Sequence, residues 1–174
     1  MFNLFIINFA LLILLAAVIT YYDVRYRRIP NRLVLAALVS GLAVNAVFGG
    51  WSGMRASVVG CAVAFGLMLI MHVFGAMGAG DVKLFAAIGA IIGAPLVLST
   101  FSVVIITGAV LAVFSMLRAG TSHVTMQRVL LILAGLLPGW KIPRFPAPAD
   151  RKQTIPYGVA IALGSLISLF IFRA

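Results

Sequence analysis

The chain is 174 residues long and carries three acidic side chains, Asp23, Asp81 and Asp150, against 13 Lys and Arg, for a formal charge of +10. Hydrophobic residues make up 64% of it and charged residues only 9%, where a soluble domain carries about 25% charged residues. This excludes an ordinary soluble globular protein, makes a nucleic-acid binder untenable despite the basic charge, and leaves an integral membrane protein as the default.

A spanning helix needs roughly 20 mostly apolar residues. The first predicted span covers about residues 2–22. It has no basic segment before it and no small-residue cleavage site after it, so it reads as a retained span rather than a signal peptide. Further spans are predicted over about 33–48, 56–74, 81–93, 95–117 and 157–172, the fourth being short for a full crossing. Residues 129–137 are apolar but too few to span, and Pro138-Gly139 ends them; they read as an interfacial helix. The expected fold is therefore all-α and polytopic, with about six transmembrane helices in a single membrane-embedded domain over residues 1–174.

The basic residues set the orientation. With the loop after the first span in the cytoplasm, that side holds Arg25, Arg27, Arg28, Arg32, Lys83, Arg118, Arg128, Lys141, Arg144, Arg151 and Lys152, and the other side only Arg55 and Arg173. So strong a bias places both termini outside. The segment at about 118–155 is basic and proline-rich, with Pro138, Pro143, Pro146 and Pro148 barring a regular helix across its middle. It is expected to lie along the cytoplasmic headgroups, held by Trp140, Phe145 and its cations. The single cysteine, Cys61, excludes an internal disulfide and a cysteine-based zinc module. No metal or other cofactor is expected.

Two of the three acids fall at the cytoplasmic ends of spans. Asp23 closes the first span and Asp81 opens the fourth, while Asp150 sits beside Arg151 and Lys152 as a local counter-charge. A carboxylate next to a membrane span is costly and functional by default. Two such groups brought close together share a proton and can activate water, one as base and the other as acid. The alternatives are that Asp23 offsets Arg25 or Arg27 and that Asp81 is the N-cap of the fourth span. Asp81 ends Gly78-Ala79-Gly80-Asp81, a GxGD, whose glycines suit turn conformations, close approach to a partner helix and room for an extended peptide.

In three segments the chain resembles the type IV prepilin peptidase family, the GxGD intramembrane aspartic proteases of bacteria and archaea. Asp23 with the downstream Ile29-Pro30-Asn31 is similar to the family's first aspartate and its Ile-Pro-Asn/Asp. Gly78-Ala-Gly80-Asp81-Val-Lys83-Leu84 is similar to GxGDxKL, and Pro156-Tyr157-Gly158 to the opening of the last helix. The resemblance covers essentially the whole chain. It implies that Asp23 and Asp81 are the catalytic pair, that Gly78, Gly80, Pro30, Asn31, Pro156, Tyr157 and Gly158 support the site, and that Lys83 meets either lipid phosphate or the substrate side of the site. The implied substrate is a prepilin or pseudopilin whose short cytoplasmic leader ends in Gly, with membrane lipids and the pilus assembly machinery as further partners. The implied location is the bacterial inner membrane, with the site at the cytoplasmic face. Long bacterial members add an N-terminal cytoplasmic region with four cysteines and methylate the new pilin N-terminus. This chain lacks those features, resembles the short branch of tight-adherence (Flp) pilus systems more than the archaeal preflagellin enzymes, and is not expected to methylate.

Rival readings are weaker. Gly50-Trp51-Ser52-Gly53 matches the GxSG of rhomboid-type serine proteases, but His72 and His123 both fall near the other membrane face, about one bilayer thickness from Ser52. His72 reads as a packed or interfacial residue, with support of the aspartates the less favoured role. Tyr22-Asp23 with GxGD is also similar to presenilin-like proteases, yet two spans separate the acids and no Pro-Ala-Leu occurs. The non-enzyme alternative is a membrane assembly factor or a small proton-coupled carrier, which would want its acids near the bilayer midplane.

Overall fold

Long apolar stretches have one stable solution where water is scarce, because a helix satisfies its own backbone groups. The computed structural model describes residues 2–74, 77–119 and 157–172, and every regular element among them is helical. In chain order these are α1 (Phe2–Tyr26), α2 (Asn31–Val73), α3 (Ala79–Ile92), α4 (Ala94–Ala119) and α5 (Tyr157–Ile171). The all-α expectation holds for them. Among the described residues three stretches are long and apolar enough to cross a membrane, Leu4–Tyr26, Asn31–Val73 and Ala94–Ser115. α3 and α5, at 14 and 15 residues, are only about 21–23 Å long at 1.5 Å per residue. The expected interfacial helix at 129–137, the proline-rich stretch, His123, Pro156 and Asp150 lie outside the described residues.

The second and third predicted spans fall together on the 43 residues of α2, and Gly50 is where they part. Its backbone leaves helical values for φ 60° and ψ −150°, a region in which a Cβ is heavily penalised. Contacts with α3 give the direction of the two arms. Asn31 lies against Lys83, and Gly41 ten residues on lies against Ala90 and Ile91, so the first arm runs parallel to α3. Ser57 and Gly60 then meet Ala90 and Gly89, and His72 meets Met77, so the second arm runs back. α2 is thus a hairpin turned at Gly50, with Gly53 seated directly on the Asn45 carbonyl.

α3 is the centre of this bundle. From Leu84 to Ile92 every residue is buried. Phe85, Leu84, Ile88 and Ile91 are fully enclosed, joined by Leu12 and Ile19 of α1, Met68 of α2, Val97 of α4 and Ile161 of α5. A short helix that ends among apolar neighbours leaves its last carbonyls without partners. Asn45 answers this: its Nδ2 donates to the carbonyls of Ala90 (3.0 Å), Ile91 (3.1 Å) and Gly41 (2.9 Å), and Ser57 Oγ donates to Ala90 as well. Asn8 of α1 completes the cluster by donating to Asn45 Oδ1 at 3.2 Å. Asn45→Ala should therefore lower stability by about 1–3 kcal/mol, since it leaves buried acceptors bare. Thermal unfolding in detergent measures this, and an unchanged midpoint contradicts the capping role.

Beyond α3 the chain turns at Gly93 (φ 78°) and enters α4. Thr100 and Ser168 share a hydrogen bond of 2.8 Å, and Gly164 packs on Val104, so α4 and α5 are antiparallel here. The chain divides into two compact units, Met1–Gly108 with Pro156–Ala174, and Ala109–Ile155. Of the second unit, the described residues are the end of α4. The first unit contains both aspartates and all the site residues discussed below.

Candidate active site

Five helix ends gather at one end of the first unit: the C-terminus of α1, both ends of α2, and the N-termini of α3 and α5. The contacts that join them are made by the motif residues themselves. Asp23 Oδ2 accepts from the Val159 N–H of α5 at 3.2 Å, with the Gly158 N–H alongside. Asp81 Oδ2 accepts from the Gly78 N–H at 3.2 Å. Each carboxylate therefore rests on amides of a helix N-terminus that have no partner within the helix, where the macrodipole favours negative charge. The two carboxylates lie within electrostatic reach of each other. Asp23 is buried at 8% exposure, and those amides and the Arg27 charge are among the groups that act on it.

The other motif residues lock these ends in place. Pro30 is the N-cap of α2 in extended conformation (φ −64°), and its carbonyl accepts from Leu33 and Val34. Proline is suited to that role because its own missing N–H costs nothing at a helix start. Asn31 Oδ1 lies 3.5 Å from Lys83 Nζ, which links the Ile-Pro-Asn segment to the GxGDxKL segment. Ile29 lies beside Gly158, where an added Cβ would stand 3.2 Å from Ile29 Cδ1 and 2.8 Å from Asp23 Oδ2. Gly158 is thus the position whose missing side chain makes room for Asp23. Tyr157 packs on Gly108 of α4. Of the expected site residues, contacts join Asp23 to Gly158, Asp81 to Gly78 and Asn31 to Lys83; Gly80 has no described neighbour within 4 Å of an added Cβ, and Pro156 is not among the described residues.

Three sequence readings change. Asp81 is not the N-cap of its helix; Gly78 is, and Asp81 stands three residues in, its side chain reaching back to the Gly78 amide. The glycines of GxGD do not press on a partner helix. Gly78 has an ordinary extended backbone (φ −78°), and at Gly80 nothing among the described residues lies within 4 Å of an added Cβ. Open space is what they leave. His72 is more than a packed residue, because its Nδ1 lies 2.7 Å from the Met77 carbonyl in the turn before Gly78. The signal in the sequence was its place six residues before Gly78, which α2's length alone could not turn into a contact.

Arg27 was read as a cytoplasmic cation and as one of two candidate counter-charges for Asp23, not as a helix stop. It closes α1 in the left-handed region (φ 51°), and its N–H donates to the Asp23 carbonyl at 3.1 Å. That is an αL helix stop usually made by glycine. A non-glycine residue there carries about 1–2 kcal/mol of strain, and it sets the Arg27 charge beside Asp23. Ser52, by contrast, sits at the Gly50 end and donates to the Gly49 carbonyl. It is at the far end of the second arm from His72, so no Ser52–His72 pair forms; His123 is not among the described residues.

A membrane protein whose described elements are all helical, with two carboxylates at one end of the bundle, is the class that this fold and site define. Residues 10–113 match the type IV leader peptidase family, and the chain belongs to that family. The prepilin leader peptidase/N-methyltransferase of Bacillus subtilis (strain 168) is 24% identical over 157 residues, covering 88% of this chain and 51% of that protein. The chain thus spans about half the length of that curated relative. No solved structure matches it.

Proposed function

We propose that this protein is an intramembrane aspartic endopeptidase that removes the cytoplasmic leader from prepilins, in particular Flp-type pilins and pseudopilins, for pilus assembly. The observation that carries the reading is that Asp23 and Asp81 stand at the same end of the bundle, each held by the N-terminus of a helix. In the reaction, one aspartate takes a proton from water as the oxygen attacks the scissile carbonyl. The other, protonated, gives its proton to the carbonyl oxygen, and the tetrahedral intermediate collapses with a proton passing to the leaving amine. Exposed Gly78, Ala79 and Gly80 leave space beside Asp81 for an extended peptide. No cofactor is needed for this chemistry.

The same reading makes residues 1–174 one membrane-embedded peptidase domain of six spans, both termini outside, in a bacterial inner membrane. The two arms of α2 supply the second and third spans, and the short α3 and α5 the fourth and sixth. Arg25, Arg27, Arg28, Arg32 and Lys83 all lie at the aspartate end and Arg55 near the Gly50 turn, which supports a cytoplasmic site under the positive-inside bias. Exposed Tyr21 and Tyr26 at the same end suit a headgroup interface. A proton-coupled carrier is disfavoured because its acids belong near the midplane.

The test is leader removal from a prepilin by membranes containing the protein, read as a length shift and located by N-terminal sequencing. Wild type should cut and both Asp23→Asn and Asp81→Asn should not; cleavage by both variants sinks the proposal. Gly158→Ala gives a finer check. Its methyl would push on the Asp23 carboxylate while α5 keeps a helical backbone, so kcat should fall by about tenfold or more with folding preserved. Wild-type kcat in Gly158→Ala would mean that the carboxylate is not confined there.

A further inference from the structure

One peptide unit, Met77–Gly78, carries hydrogen bonds on both sides. Its carbonyl oxygen lies 2.7 Å from His72 Nδ1, and its N–H donates to Asp81 Oδ2 at 3.2 Å. A carbonyl oxygen can only accept, so the first contact places a proton on His72 Nδ1. The order is then imidazole N–H to peptide C=O, and peptide N–H to carboxylate. Donation to a peptide's oxygen polarises the group and strengthens the bond its N–H makes, since hydrogen bonds in a chain reinforce one another. His72 stands in the last turn of α2 and Asp81 in the first turn of α3, so the same two bonds tie the end of one helix to the start of the next.

We infer that His72 is a positioning residue for Asp81, acting through the Met77–Gly78 peptide: it orients that peptide so that its N–H holds one carboxylate oxygen and directs the other into the open space beside Gly80. His72 touches neither the scissile bond nor the attacking water. This rests on the aspartic peptidase reading above and names a residue that the reading itself does not require.

Two substitutions separate orientation from bulk. Asn places its Nδ2 where the histidine Nδ1 stands and can donate to the Met77 carbonyl; Phe fills the same space and cannot donate. His72→Asn should keep kcat within about threefold of wild type. His72→Phe should lose about tenfold or more in kcat with KM little changed, the pattern of a catalytic group displaced from its working geometry. Equal kcat in wild type and His72→Phe, an equal loss in both variants, or a loss confined to KM overturns the inference. A second readout needs neither variant nor activity: the Gly78 amide proton of the detergent-solubilised protein should resonate well downfield, as a donor to a carboxylate. A Gly78 resonance at an ordinary solvent-exposed position overturns the inference. If Asp23→Asn and Asp81→Asn both still cleave, the peptidase reading fails, and the Gly78 resonance still decides whether the peptide holds Asp81.

Discussion

Asp23→Asn or Asp81→Asn should slow leader cleavage by about 10³-fold or more, at the upper part of what a single acid or base contributes. The reason to expect so clean an effect is that asparagine preserves the rest of the site. At position 23 its side-chain oxygen can still accept from the Val159 N–H, and at position 81 from the Gly78 N–H, so both helix ends keep their partners. Only the ability to take up or release a proton is lost. The two carboxylates work as a unit, so the double variant should be scarcely slower than either single one, whereas independent groups would multiply their losses. Single-turnover cleavage of a prepilin, measured for all three variants with detergent unfolding as the control for folding, gives the answer. Multiplicative losses would show that the acids act separately.

A loss of stability of about 3 kcal/mol or more is expected for Gly60→Ala and for Gly89→Ala, at the upper end for overpacking. An added methyl at Gly60 would fall on the Gly89 carbonyl oxygen and stand 2.8 Å from Ala94 N and Gly93 C. At Gly89 it would fall on the Gly60 oxygen and stand 2.6 Å from Ala64 Cβ. Most of these atoms are backbone, so no side-chain rotation relieves the overlap, and the second arm of α2 must move off α3. Asp81 rides on the same short helix, so cleavage should fall with stability. Gly66→Ala is the control, because nothing among the described residues lies within 4 Å of its added methyl. That change should be neutral or slightly stabilising through helix propensity. Equal unfolding midpoints for all three variants would contradict the close crossing of α2 and α3.

Much of this molecule is legible along the chain because its physics is local. Apolar stretches must be helical where water is absent, so α1, α3, α4 and α5 lie close to their predicted positions. Asp23 and Asp81 stand out because carboxylates are so scarce in this chain. The hairpin of α2 was also within reach, as two spans separated by a glycine-rich turn. What carried less signal was the role of residues whose partners are distant in sequence. Asn45 looks like an unremarkable polar residue in a span until Ala90 and Ile91, 45 and 46 residues away, present it with bare carbonyls. His72 carries no motif, and its value comes from the turn folded against it.

By itself, then, the sequence determined the helical membrane class, the two acids and the motif segments around them. Patterning, charge bias and short motifs depend on neighbours within a turn or a span. The tertiary structure alone decided that Gly158 clears space for Asp23, that Asp81 is held by the Gly78 amide from the third position of its helix rather than standing as the N-cap, and that the GxGD glycines open outward instead of packing inward. Each of these depends on where a second helix end arrives in space. Separations such as the 136 residues between Asp23 and Val159 leave no trace in local sequence pattern.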